Sequence, residues 1–372
     1  MEDLAEFRAH AGEWLDANEA QAPPDYGPIL PPDLVGSAVE WQKRLYDSGF
    51  AGIHWPVAHG GRGLSPAHHD AWLAECSARD VAPFVNMVGF VLAGQGVQQW
   101  GTDDQKVEHL RPIITADRIW CQLFSEPGAG SDLSSLRTSA EADGDSWVVN
   151  GQKVWCSGGH YSDWGILMAR TGPDRPRHQG ISFFLVEMST PGIETRPLRQ
   201  MTGESEFDEV FLTDARLPKS ALLGPVHDGW RVGMSILMHE RSSIGTAAET
   251  MVRRLDQTID RNEPARPVDR QDLMRLYAAA MGIRGVARGQ DEASNGSSLL
   301  KLGITEAEFA KAMIDGAGRP DAMLDSEASR AILAAPGGKI AGGTSQIQRN
   351  IIGERLLGLP RDPAPRPRED SP

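Results

Sequence analysis

The chain has 372 residues, 40% of them hydrophobic and 24% charged, with a formal net charge of −14, a globular composition with room for two or three cores. Its acidity excludes a nucleic-acid partner, since neutralising phosphates needs a basic surface, but a local basic spot could still face a small anion. The three cysteines, Cys76, Cys121 and Cys156, form no C-x-x-C pair, which argues for a reducing compartment and against a disulfide framework.

The first residues, MEDLAEFRAHAGEWLDANEA, are acidic and amphipathic rather than a basic leader with an apolar core. No apolar run approaches the ~20 residues that span a bilayer, so the expectation is a cytoplasmic protein with no membrane span. Leu4, Phe7, Ala11, Trp14 and Leu15 recur at helical spacing and predict a helix over residues 1–21. A Pro-rich loop from Pro23 to Pro32 ends it, and a second helix follows from Pro32 to Ser48. Gly60, Gly61 and Gly63 break the pattern before Ser65 and Pro66 open a third helix as cap and first residue. His54, His59, His68 and His69 do not repeat at the one-turn spacing of a helical metal site. They read as surface or turn histidines, and no metal is expected. Helical patterning continues from Ala67 to Trp100, interrupted by Pro83, and from Asp103 to Ile114, with Thr102 and Asp103 as the cap.

From Arg118 to about Leu223 the alternation shortens to period two, punctuated by Gly, Pro and Asp, which predicts a β barrel or sandwich. Near its start, runs at 119–124 and 147–149 flank a loop containing Gly128, Ala129 and Gly130, followed by Ser131 and Asp132. Small residues let a ligand approach the backbone, and successive N–H groups there form an anion nest. The stretch Gly151–Gly159 is expected to close like a hairpin, placing Trp155 and Ser157 on an edge. An indole offers a stacking face and a hydroxyl one hydrogen bond. The residues alone therefore point either to a planar, anionic ligand on strands or to an ordinary Gly-rich turn beside a core tryptophan.

From Asp228 the pattern is helical again, with helices at 228–261, 269–284, 298–315 and 345–356, which an antiparallel bundle would bury. Gly282, Gly285, Gly289 and Gly296 each cost a helix about 1 kcal/mol, so the bundle should be broken between Met281 and Ser297. The closing RDPAPRPREDSP reads as a disordered tail. The expected domains are 1–117 (helical), 118–225 (β), 226–360 (helical bundle) and a tail at 361–372.

Several segments together resemble the acyl-CoA dehydrogenase family over nearly the whole chain: SEPGAGSD with the following WCSGG, PLRQMTGESEFDEVFL, DGWRVGMSILMHER and GGTSQIQRNIIGERLLGLPR. The resemblance implies an α+β fold: an N-terminal helical domain, a middle β domain and a C-terminal antiparallel bundle. It implies FAD as cofactor, an acyl-CoA thioester as substrate and α,β-dehydrogenation as the reaction. A base would take the α-proton while the β-hydrogen leaves as hydride to flavin N5, with donors at the thioester carbonyl.

Carried over residue by residue, the resemblance puts Gln122, Phe124, Ser125, Gly130 and Ser131 along the flavin and its ribityl chain. Trp155 and Ser157 flank the ring, and Thr344 and Gln346 reach FAD. Many relatives carry the base as the Glu of an E-G-T-S-x-I-Q sequence, where this chain has Gly342. Members resembling isovaleryl-CoA dehydrogenase carry it in an L-x-x-E-R segment, here Leu237-Met238-His239-Glu240-Arg241. Glu240 is therefore the expected base, although periodicity alone would make Glu240 and Arg241 a solvated pair on a helix. Gly342 keeps its N–H for an oxyanion hole, while Arg241 and Ser131 are expected at the acyl-CoA.

Two family segments that meet a neighbour's FAD are missing. RNEPARPVDRQDL has no Phe-Gly pair, and LDSEASRAILAAPGGKIAGG replaces Q-x-x-G-G-x-G. The resemblance thus implies a homo-oligomer or a heteromer with a related chain, and electron-transferring flavoprotein as acceptor. A non-catalytic or half-site subunit is the alternative. A flavin monooxygenase or oxidase on the same fold would not need Glu240. The acyl group stays open among short, branched, aromatic and steroid side-chain thioesters.

Overall fold

The structure, a computed structural model, describes residues 2–24, 26, 29–240, 244–260, 267–289, 296–317, 322, 324 and 326–361. The chain divides into two compact units, Met1–Glu240 and Arg241–Pro372.

The first unit opens with α1 (Leu4–Asn18), capped by the Asp3 carboxylate, which accepts from the Ala5 and Glu6 N–H groups. Its Phe7, Ala11 and Leu15 lie four apart on one stripe and are fully buried. In α2 (Val35–Asp47) the buried Trp41 donates its indole N–H to the Ala82 carbonyl at 3.0 Å. The next helix, α3 (Pro66–Ala78), starts on proline as expected, but the Ser65 hydroxyl does not cap it. It lies 2.7 Å from His68 Nδ1, and His68 Nε2 is 3.1 Å from the Glu2 carbonyl. His68 is thus a core histidine on α3, 4% exposed, and not the surface or turn residue anticipated. After Pro83 a π-helical turn, Val88–Ala93, leads into α4 (Gly94–Trp100). In α5 (Asp103–Ile114), Thr102 and Gln105 form a reciprocal capping box.

Seven strands follow: β1 (Trp120–Leu123), β2 (Ser139–Asp143), β3 (Ser146–Ser157), β4 (Trp164–Arg170), β5 (Ile181–Glu187), β6 (Ile193–Leu198) and β7 (Phe207–Pro218). They make one sheet in the order β1-β4-β2-β3-β7-β6, with β5 paired to β4. The near-continuous apolar runs of β4 and β5 are explained by burial on both faces. Ile166, Met168, Ile181, Phe183 and Leu185 join the helices in one cluster. The alternate residues Leu167, Ala169, Phe184 and Val186 meet Val149 of β3 and Val210 and Leu212 of β7 in a second. Strands distant along the sheet thus share one interior, so the sheet folds over on itself. After β7, α6 (Gly229–Glu240) returns Val232 and Ile236 to the first cluster.

The expected hairpin at 151–159 does not form. Residues 151–157 belong to β3, a single 12-residue strand antiparallel to β7. The register shifts twice, once with the extra residue on β7 near Asp214, opposite Val149–Gly151, and once with it on β3 at Trp155, so the pair bends and β3 does not turn back.

The second unit contains α7 (Ile244–Asp260), α8 (Pro267–Arg288), α9 (Ser297–Gly316), α10 (Glu327–Gly338), α11 (Ser345–Ile351) and a π-helical turn, Ile352–Leu356. Ala248, Val252 and Leu255 of α7 pack with Leu273, Leu276 and Ala280 of α8 and with Leu300, Ile304 and Ala307 of α9. The expected break between Met281 and Ser297 falls later than Gly282 and Gly285, because α8 runs through both to Arg288 and α9 starts at Ser297. Burial of Leu273, Leu276 and Ala280 offsets a propensity cost of about 1 kcal/mol per glycine. Helix α10 was not expected at all. Ser326 and Ser329 cap it reciprocally, and Pro336, Gly337 and Gly338 form its last turn. Residues 241–243, 290–295 and the expected tail beyond Arg361 lie outside the described residues. Among the described residues no helix is long and apolar enough to cross a membrane.

Candidate active site

The first unit builds its candidate site where β1 ends. Gln122 is half-buried on β1, opposite Ile166 of β4. The Phe124 ring is 4% exposed and meets Phe183 edge-on at 5.6 Å, so its main chain is what it offers a ligand. Ser125 accepts the Val154 N–H at 2.9 Å, which joins the start of the loop to β3. Glu126 then ties the loop at both ends. Its backbone exchanges two 3.0 Å bonds with Ala129, and its carboxylate accepts the Arg137 and Thr138 N–H groups at 2.7 and 2.9 Å. The excursion between, with Gly128, Gly130, Ser131 and Asp132 exposed, keeps an open edge. A Cβ at Gly128 or Gly130 would meet nothing within 4 Å, and neither has a positive φ. The chain's own packing therefore does not demand glycine at either position.

Trp155 sits in the β3 bulge with φ +60 and is 58% exposed, its ring edge-on to Phe207 at 5.8 Å. A bulky residue in the left-handed region costs roughly 1–3 kcal/mol and persists where surrounding structure imposes it. Here the strain holds an indole out toward solvent, one residue from the bond that joins Val154 to Ser125. Ser157, half-buried, closes β3 opposite Phe207. The chain then turns at Gly158, whose φ is +62 and whose Cβ would fall 2.3 Å from the Tyr161 ring.

Beneath these groups lies a side chain that the sequence reading passed over. Lys153 is fully buried, and Nζ donates to Phe124 O at 3.1 Å, Glu126 Oε1 at 2.9 Å and Met168 O at 2.8 Å. Burial pulls its pKa down and the Glu126 charge opposes that pull. For Glu126, burial alone would raise the pKa, but the Lys153 charge and the bonds from Thr138, Lys153 and Arg137 outweigh it and hold the group below the usual carboxylate range. A signal was available: Lys153 falls in phase with the inward-facing Trp147 and Val149 of a strand.

In the second unit Gly342 and Gly343 have φ of +60 and +91. The Gly342 carbonyl accepts Gln348 Nε2 at 3.0 Å and the Gly343 carbonyl accepts Lys301 Nζ at 2.7 Å. At Gly343 a Cβ would come within 2.8 Å of Gln348 Nε2, whereas at Gly342 the nearest atom is 3.9 Å away. Thr344 caps α11 by accepting the Ile347 N–H. With the exposed Gln346 it lines an open hollow of about 430 Å³ that also includes Glu306, Lys339 and Arg349. The structure thus gathers Gln122, Phe124, Ser125, Gly130, Ser131, Trp155 and Ser157 around the β1–β3 region of one unit, and Gly342, Thr344 and Gln346 on one turn of the other. Glu240 is the last described residue of α6 and its side chain lies outside the description, as does the whole of Arg241.

Comparison with known proteins gives this arrangement a context. Residues 6–117, 121–215 and 227–357 match, in turn, the N-terminal, middle and C-terminal domains of acyl-CoA dehydrogenases. The chain is 39% identical to acyl-CoA dehydrogenase IpdE1 of Mycobacterium tuberculosis over 384 residues, covering 97% of this chain and 99% of that protein. Among solved structures it is similar to the Tcur3481-Tcur3483 steroid ACAD, at 26% identity and a TM-score of 0.80, over 96% of this chain and 97% of that one. It is also similar to the ChsE4-ChsE5 complex of Mycobacterium tuberculosis, at 27% identity and a TM-score of 0.76, over 96% and 98%. The chain belongs to the acyl-CoA dehydrogenase family, oxidoreductases that act on acyl-CoA and bind FAD.

Proposed function

We propose that this chain catalyses the α,β-dehydrogenation of a bulky, polycyclic acyl-CoA thioester as one half of a heteromer with a related chain. The observation that carries the reading is the strained, exposed Trp155 beside a loop whose two glycines no neighbouring atom requires. These residues fit FAD: a flat face for a ring, and an open, amide-rich edge for an anionic tail. FAD, when bound, would accept the β-hydrogen as hydride.

The remaining roles fall to the chain's own residues. Glu240 takes the α-proton, and Gly342 offers its N–H to the thioester carbonyl as half of an oxyanion hole. Its φ of +60 keeps that position suited to glycine, which fits a base moved elsewhere. Gln122, Phe124 and Ser125 offer strand-end groups to the ring and ribityl chain, with Gly130 and Ser131 beyond them. Ser157 donates toward the ring, Thr344 and Gln346 contact the cofactor, and Ser131 and Arg241 contact the acyl-CoA. Electron-transferring flavoprotein would be the acceptor of the two electrons. The choice of a polycyclic acyl group is supported by the similarity to the Tcur3481-Tcur3483 steroid ACAD, and that of a mixed assembly by the similarity to it and to the ChsE4-ChsE5 complex.

The test is anaerobic titration of the purified, FAD-loaded protein, alone and co-expressed with its related chain, against straight-chain, branched and steroid-derived acyl-CoAs. Bleaching of the flavin by the steroid-derived thioester is expected. A yellow protein that no acyl-CoA bleaches in either form would overturn the proposal, and bleaching by short straight chains alone would overturn its substrate.

A further inference from the structure

A buried ion pair is a poor source of net stability. Its desolvation cost commonly equals or exceeds its attraction, and apolar replacements are often as stable. Lys153 and Glu126 therefore call for a reason beyond holding the fold together. All three Nζ donors are engaged, on three separate segments: Phe124 O at the end of β1, Glu126 in the loop, and Met168 O on β4. Glu126 passes the constraint on to the Arg137 and Thr138 N–H groups at the far end of the loop. On its own strand Lys153 immediately precedes the bulge in which Trp155 takes its left-handed φ.

Resting on the FAD reading above, we propose that Lys153, acting through Glu126, is the positioning residue that sets the open Gly128–Asp132 edge and the Trp155 indole in register for one flat, anionic cofactor. The ammonium is the only described link that touches the strand end, the loop knot and the strand carrying Trp155 at once. Without it the carbonyls of Phe124 and Met168 lose a donor, and Glu126 becomes a buried charge without its counter-ion. The loop then samples more conformations, and a ligand must bear the cost of ordering it. The effect falls on cofactor binding, because the apolar clusters on either side of the sheet do not depend on the pair.

The test compares Glu126→Gln, Lys153→Met and the double variant Lys153→Met/Glu126→Gln in the full chain. The readouts are the FAD dissociation constant, the visible flavin spectrum, the melting temperature without FAD and hydrogen exchange of the loop amides at 127–136. Both single variants should weaken FAD at least tenfold, shift the flavin bands and lower the melting temperature. The double variant leaves no charge unpaired, so its melting temperature should recover while FAD stays at least tenfold weaker and the loop amides exchange faster. Recovery of FAD affinity together with the melting temperature would make the pair merely structural and overturn the proposal. So would wild-type affinity in either single variant. If Lys153→Met does not fold, Glu126→Gln, which keeps one carbonyl oxygen in place, decides alone: affinity within threefold of wild type refutes the proposal. A wild-type chain that takes up no FAD sinks the functional reading and this inference with it, whereas wild-type FAD binding with unaffected variants sinks only this inference.

Discussion

In the unit ending at Glu240 the apolar side chains are shared between two clusters on the two faces of one sheet, and the site's main chain is fixed from below by a buried polar knot. In the unit from Arg241 onward the described core draws on α7, α8 and α9. Leu324, Ile340, Leu357 and Leu359 there are each more than half exposed. Its site turn is held by the partly exposed Lys301 and by Gln348. The first unit brings its own pre-organised platform. Among the described residues the second unit exposes eleven large hydrophobic side chains against six in the longer first unit.

Changing the chemistry of the first unit without touching its platform gives the largest effect. Glu240→Gln should leave FAD bound and slow substrate bleaching by roughly 10²–10⁴-fold, because the amide cannot accept the α-proton. Stopped-flow reduction measures this, and near-normal turnover would return Glu240 to the surface charge pair that periodicity suggests.

A second probe separates the units by acid. His109 is 2% exposed, packed edge-on against Trp164 at 4.6 Å and Trp120 at 5.3 Å. Burial first, then the Arg118 charge, lowers its pKa to about 4. The unfolded chain binds this proton near pH 6.5 and the folded one near 4, so the neutral imidazole stabilises the fold above pH 6.5 and that contribution is lost as pH falls toward 4. The slope approaches about 1.4 kcal/mol per pH unit. Chemical denaturation between pH 7 and 4, followed by tryptophan fluorescence, should show a shallower loss in His109→Phe. Parallel curves for variant and wild type would mean that His109 is not buried in the neutral form.

The smallest effect sharpens the picture of the second unit. Gly343→Ala combines a positive φ with a 2.8 Å approach to Gln348, whereas Gly342→Ala meets only the backbone cost of roughly 1 kcal/mol. Calorimetry should therefore find Gly343→Ala the more destabilising of the two. Equal melting temperatures would mean that the turn relaxes and that Gln348 does not hold it.

Much of this was legible in the residues because local chemistry and tertiary structure agree. Thr102 caps α5 as expected, with Gln105 as its partner, whereas β4 and β5, expected to alternate like the other strands, are unbroken apolar runs because both their faces are buried. The misreadings have a common cause in long-range partners. Gly151 and Gly159 look like the ends of a hairpin until β7 supplies a partner along β3, and Gly282 and Gly285 look like helix breakers until α7 and α9 cover the opposite face of α8. Helix α10 was missed because Pro336-Gly337-Gly338 resembles a loop, while its Ser326 cap lies ten residues earlier. Lys153 was passed over because a lysine reads as solvated unless its place in the strand alternation is weighed.

The double-sided burial of β4 and β5 also bears on the order in which the protein can be made. Helices α1 to α5 leave the ribosome first, yet the cluster they share includes Ile166, Phe183 and Leu185, and then Val232 and Ile236 of α6. Their apolar stripes have no complete lid until the chain has been synthesised past residue 236. Until then the nascent N-terminal half presents the sticky surface that chaperones recognise. A stop codon near residue 120 would on this account yield an aggregating fragment and not a small helical protein.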